Sequence, residues 1–159
     1  MIKMGEKIPA AEFISHNADG QIKLTSDQIF SGKKVVLFGV PGAFTPTCSM
    51  NHLPGFLEHF EAIKAKGVDT IACTSVNDGH VMKAWAKASG GEGKIVFLAD
   101  GNGTFATACG LQVDLNVAGM GLRSKRYAMI VENGTVMAIN VEDKSGVNVS
   151  GAETILAQL

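Results

Sequence analysis

Apolar positions along the chain fall into two recurring patterns, short continuous runs and residues repeating every three or four positions. The run Lys34-Val35-Val36-Leu37-Phe38-Gly39-Val40 is apolar on both alternating faces and rich in β-branched residues. It predicts a strand covered on both sides, and therefore a central one. Residues 68–76 and 95–98 predict two further strands of this kind. Leu53, Phe56, Leu57, Phe60 and Ile63 recur at helical spacing and predict one long helix bent at Pro54. Val81, Met82 and Trp85 predict a helix over 81–88, and 104–109 a short one. Segments 12–15 and 21–24 flank Asn17-Ala18-Asp19-Gly20 and predict an N-terminal hairpin. Segments 127–131 and 135–141 flank Glu132-Asn133-Gly134, and Asn-Gly between apolar runs is a strong hairpin signal. A last helix is predicted over 154–159.

Strand, helix, strand, helix, strand, hairpin and helix in that order describe an α/β fold: a mixed sheet with helices on both faces and an N-terminal hairpin. This topology is thioredoxin-like. In such sheets, sites form where strands give way to helices, so the turn after residue 40 is the first place to look for chemistry.

Composition narrows the classes. The chain has 159 residues, 46% hydrophobic and 18% charged, with 4 prolines, which predicts one folded domain over 1–159 and excludes disorder. Lys plus Arg is 14 and Asp plus Glu 15, a net charge of −1, which argues against nucleic acid or an anionic membrane held by bulk charge. The apolar stretch from 35 to 44 is broken by Gly39, Pro41 and Gly42, far short of a membrane span of ~20 residues. The first seven residues carry charges and read as no secretory signal, so a cytoplasmic location is expected. Three cysteines without a CxxC make no disulfide framework.

Cys48 falls at a predicted helix start, where unpaired amides and the helix dipole favour an anion. Thr45, three residues earlier, is within one turn of it, and Pro41 and Pro46 stiffen the entry. From residue types alone a buried, inert thiol competes evenly with a reactive one. His52, four residues after Cys48, shares its helix face by spacing. A polar helix residue facing solvent or a neighbour is the favoured reading, over tuning a thiolate or forming a Cys-His hydrolase pair. His16, His59 and His80 are scattered without metal-like spacing, so no metal site is expected. Asp100-Gly101-Asn102-Gly103-Thr104-Phe105-Ala106 superficially fits a dinucleotide fingerprint but stands at the wrong strand, and a nicotinamide site is not expected.

Pro41-Gly42-Ala43-Phe44-Thr45-Pro46-Thr47-Cys48-Ser49 resembles the active-site loop of the peroxiredoxins, and its longer wording resembles the atypical type II subfamily. The likeness continues through His52-Leu53-Pro54-Gly55-Phe56, Ser75-Val76-Asn77-Asp78, Met82-Lys83-Ala84-Trp85 and Arg123-Ser124-Lys125-Arg126-Tyr127. The resemblance implies that Cys48 is the peroxidatic cysteine, Thr45 its hydroxyl partner, Pro41 the shield of the pocket and Arg126 the guanidinium beside the thiolate. Arg123 competes with Arg126 but reads as a solvated loop residue. Cys73, in a predicted strand, reads equally as core or, by the resemblance, as a resolving cysteine. The alternative C-terminal place for one, around 146–150, holds no cysteine. Cys109 matches no family role.

The implied activity is reduction of hydrogen peroxide or small alkyl hydroperoxides without metal, haem or flavin. Glutaredoxin, glutathione or thioredoxin is the implied electron donor, and a homodimer the implied assembly. Some bacterial relatives are fused to a glutaredoxin domain after the final helix; for this sequence a glutaredoxin acting in trans is the expectation. The competing readings are a thiol-disulfide oxidoreductase on the same fold and a non-catalytic binding or holdase module.

Overall fold

The computed structural model describes residues 1–159. A hairpin opens it, β1 (Glu12–Asn17) with β2 (Gly20–Thr25), followed by a single helical turn α1 (Ser26–Phe30) and the strand β3 (Lys34–Val40). A π-helical turn (Cys48–His52) leads into α2 (Leu53–Glu58) and α3 (Phe60–Ala65). Next come β4 (Thr70–Ser75), α4 (Gly79–Ser89), β5 (Val96–Ala99) and α5 (Thr104–Ala108). The short strands β6 (Gln112–Asp114) and β7 (Leu122–Ser124) enclose a 3-10 turn, and β8 (Tyr127–Glu132), β9 (Thr135–Val141) and α6 (Ala152–Gln158) complete the chain.

Seven strands form one mixed sheet in the order β2-β1-β5-β4-β3-β8-β9, with β3, β4 and β5 parallel and the flanking strands antiparallel. β6 and β7 pair separately. Alternation along β3 divides the interior. Val36, Phe38 and Val40 face one core with Ile71 and Cys73 of β4, against α2, α3, α4 and α6; Val35 and Leu37 face the other with Ala72, against α1 and α5. The thioredoxin-like architecture expected from the sequence is the one observed, with helices on both faces.

Three local features differ from the expectation. The helix after Cys48 is not continuous: His59, at φ −95° and ψ 11°, separates α2 from α3. Pro54 acts before that break, not at it. Having no N–H, it cannot bond the Met50 carbonyl, and the amide of Leu53 reaches back to the Cys48 carbonyl five residues away, which widens the turn into a π-helix. Two elements go unpredicted. One is α1, held by a capping box in which Thr25 and Gln28 serve each other's backbone N–H. The other is the β6–β7 pair.

The predicted hairpin is present, its loop reduced to Asn133-Gly134 because Glu132 pairs with Thr135, and the φ values of 47° and 77° are those a two-residue turn requires. Gly39 stands opposite Tyr127 in the β3–β8 ladder, and a Cβ there would overlap the buried Tyr127 ring. That glycine is therefore a space requirement, and it locks the start of β8 against the end of β3.

Candidate active site

The carboxyl ends of β3 and β4 lie side by side, with Val40 in register with Ser75. Beyond them, the Asn77 side-chain oxygen accepts the Ala43 amide at 2.9 Å and the Ser75 hydroxyl. Arg123 braces the same loop from the other side, donating through Nη1 to the Pro41 carbonyl at 3.3 Å and through Nε to Met120 at 2.8 Å. Gly42 packs beneath it: an added Cβ would come within 2.9 Å of that Nη1. Phe44 takes a left-handed conformation at φ 65° and stands 52% exposed. Thr45 donates its hydroxyl proton to the Gly42 carbonyl at 2.7 Å, leaving its lone pairs as acceptors. Helical backbone then begins at Pro46, whose missing N–H costs nothing in a first turn.

This places Cys48 on the inner side of the first helical turn, fully buried. Arg126, just ahead of β8, donates from Nη2 to its sulfur at 3.1 Å. The other arm of the fork, Nη1, lies 3.1 Å from His52 Nδ1, and His52 Nε2 lies 2.8 Å from the Ser150 carbonyl. A carbonyl only accepts and a guanidinium only donates. His52 is therefore the neutral tautomer with its proton on Nε2 and a bare Nδ1. Burial, with a smaller contribution from Arg126, lowers its pKa to about 4 against the opposing effects of Ser150 and Glu142. Phe38 stacks on Phe56 at 4.1 Å between ring centres and also contacts His52 at 5.0 Å, so an aromatic wall backs the imidazole.

Of the residues singled out in the sequence, Cys48 and Arg126 are in direct contact, and Arg126 rather than Arg123 reaches the sulfur. Pro41 and Thr45 sit in the loop above, Thr45 hydrogen-bonded to backbone and not to the thiol. Of the two placements expected for His52, solvent or a neighbour, it takes the second: it is 1% exposed and hydrogen-bonds to Ser150 and Arg126, not to Cys48, so no Cys-His hydrolase pair is formed. Cys73 lies in the same core as Cys48, and burial, then the neighbouring Cys48 charge, push its thiol well above the ordinary range. Cys109 is buried in the opposite core, its thiol pushed up to about 12 by burial and then by Asp100. Both oxygens of Asp100 accept amides of α5, from Phe105 at 3.0 Å and Ala106 at 2.9 Å, so the glycine-rich turn is filled by its own carboxylate.

Sequence reasoning misses several supports. Asn77 falls within a stretch that carries the family likeness, yet nothing beside it marks its part in holding the loop. Trp85 donates its indole N–H to Ser49 at 3.0 Å, tying α4 to the residue after Cys48. Ser150 is 98 positions from His52, and no local pattern joins them.

The chain matches the family model described as Redoxin over residues 3–156. It is 51% identical to peroxiredoxin-2C of Oryza sativa subsp. japonica over 144 residues, 89% of each chain, and 45% identical to peroxiredoxin-2D of Arabidopsis thaliana over 159 residues, 99% of this chain and 98% of that one. Among solved structures, reduced Prx3 of Vibrio vulnificus in complex with H2O2 superposes with a TM-score of 0.95 at 49% identity, covering 99% of both chains.

Proposed function

The chain belongs to the type II peroxiredoxins and is a thiol-dependent peroxidase; on that premise we propose that Cys48 is its reacting sulfur and Arg126 and Thr45 are its catalytic partners. The observation that carries the proposal is the 3.1 Å hydrogen bond from Arg126 to the Cys48 sulfur inside a water-poor turn. A guanidinium is protonated at any working pH and favours the thiolate over the thiol. The Cys48 thiolate attacks one oxygen of a hydroperoxide, the O–O bond breaks, and the sulfur becomes a sulfenic acid. The other oxygen departs as alkoxide or hydroxide and takes a proton to leave as alcohol or water. Arg126 donates to the developing negative charge. Thr45, its own proton engaged by Gly42, accepts the hydroxyl proton of the incoming peroxide. Pro41, above them, limits water at the sulfur.

Hydrogen peroxide is the simplest substrate, in keeping with the Vibrio vulnificus relative that is described in complex with it. The second half-reaction we assign to an external thiol, glutathione or glutaredoxin, in preference to Cys73. That thiol condenses with the sulfenic acid, releasing water, and a second thiol then reduces the mixed disulfide. Cys73 is fully buried in mid-strand, which supports this choice. Homodimer formation is supported by exposed apolar side chains at the loop: Phe44 within it and Leu122 next to Arg123, whose guanidinium lies over Gly42.

Peroxide consumption with glutathione and glutaredoxin, compared between the parent and Cys48→Ser, tests the assignment. Rapid consumption that vanishes in the variant is expected. Unchanged consumption would mean that another group carries the chemistry.

A further inference from the structure

The segment between β9 and α6 forms no ladder, yet four donors in it converge on one atom. The amides of Asn148, Val149 and Ser150 each reach Glu142 Oε2 at 2.8 Å, and the Ser150 hydroxyl reaches the same oxygen at 2.7 Å. The second oxygen, Oε1, is buried and receives no donor from the chain. Burial alone would push the Glu142 carboxyl up; the Ser150 hydroxyl and the three amides outweigh it and hold the group below its usual value. A carboxylate oxygen collects that many donors because it carries net charge and several acceptor directions.

These contacts close on themselves. The Glu142 amide donates to the Arg126 carbonyl at 2.9 Å. The Glu142 side chain holds Ser150, the Ser150 carbonyl takes the His52 Nε2 proton, and the bare His52 Nδ1 takes Arg126 Nη1. A circuit thus leaves Arg126 by its backbone and returns to it by its guanidinium, with Nη2 as the arm left to point at Cys48. We propose that Glu142 is a positioning residue for peroxide reduction: by fixing the Ser150 carbonyl it selects the His52 tautomer that aims Arg126 at the Cys48 sulfur. The inference rests on Cys48 and Arg126 acting as assigned above.

Without the carboxylate, three amides and a hydroxyl lose their common acceptor, and the Ser150 carbonyl is no longer held toward His52. The imidazole is then free to take its other tautomer, whose Nδ1–H turns a proton toward a guanidinium that can only donate. Misplacing a catalytic group by about an ångström costs up to about 10²-fold in rate.

The test follows two readouts in the full-length protein: the second-order rate constant for Cys48 oxidation by hydrogen peroxide in stopped flow, and the 15N shifts of His52, which distinguish the tautomers. Glu142→Ala should slow oxidation about 10- to 100-fold and give mixed His52 tautomers. Glu142→Gln, which keeps an acceptor oxygen, should restore both toward the parent. If the alanine variant does not fold, Glu142→Asp keeps the charge, withdraws the oxygen by one methylene and carries the same two readouts. Asn140→Ala, which breaks the bond from β9 to Gln158 in α6 at 2.8 Å, should match the parent. Glu142→Ala, or Glu142→Asp in its place, overturns the proposal if it reacts within about twofold of the parent or reacts slowly with His52 unchanged, as does equal slowing by Asn140→Ala. Failure of the underlying reading is distinguished by Cys48→Ser: if that variant still consumes peroxide, the reading falls independently of what Glu142 does.

Discussion

Replacing His52 by glutamine should make the protein less sensitive to acid. The imidazole is 1% exposed and has a pKa of about 4, lowered first by burial and then by Arg126, whereas in the unfolded chain it returns to about 6.5. Between these values the unfolded state binds a proton that the folded state refuses, so stability falls as pH falls through that window and levels off below about 4. Every tenfold difference in proton affinity between the two states is worth about 1.4 kcal/mol. On going from about pH 7.5 to about pH 4.5, His52 should therefore remove about 2.5 kcal/mol of stability. Glutamine does not titrate, and its amide can still donate to the Ser150 carbonyl. The charged groups that act on the imidazole are Arg126 ahead of β8 and Glu142 after β9, with Glu58, His59 and Glu153 around the adjoining cavity of about 280 Å3. All remain in both proteins, as does His16, whose pKa is also lowered by burial, so their contributions largely cancel in the difference. Urea unfolding at fixed protein concentration, followed by circular dichroism, measures it. If parent and His52→Gln lose the same stability over this range to within about 0.5 kcal/mol, the imidazole is not held neutral and the tautomer assigned to it is wrong.

Thr45→Val should keep the circular dichroism spectrum while slowing peroxide reduction about 10²-fold or more, since it removes one oriented hydroxyl at nearly constant volume; unchanged stopped-flow kinetics would reduce Thr45 to a turn former. Gly39→Ala should destabilise the protein by about 1–3 kcal/mol, because the methyl enters the space of the Tyr127 ring, and an unchanged thermal midpoint would show that β8 yields there. Cys73→Ser should retain glutathione-dependent turnover near the parent's. Collapse of that turnover, together with a Cys48–Cys73 disulfide in the parent, would transfer the resolving step to β4.

What the sequence makes legible is whatever is encoded by neighbours. β3 is readable end to end because burial on both faces leaves an unbroken apolar run. The β8–β9 turn is readable because Asn133 and Gly134 tolerate positive φ. β6 and β7 are not, since three residues are too few to establish a period. α1 does carry a signal in Thr25 and Gln28, but a five-residue helix buries too little to stand out from a loop. At the site, Cys48 and Thr45 share one turn and come to notice together, while the choice of Arg126 over Arg123 comes from family position and is matched by the 3.1 Å contact. His52 escapes a local reading for a physical reason. A buried imidazole needs partners on both nitrogens, and they come from residues 126 and 150, which no window around position 52 contains.

The sheet also keeps the thiols in separate compartments. Cys48 and Cys73 share one core and Cys109 occupies the other, with the β3–β4–β8 layer between them. An oxidised sulfur at Cys48 has no route to Cys109 that leaves this layer intact. A Cys48–Cys109 bridge found after peroxide treatment consequently records a molecule whose sheet had already opened. In a population undergoing turnover, the fraction of Cys109 bridged to Cys48 works as an internal tally of casualties, separate from the fraction of Cys48 that is in the catalytic cycle.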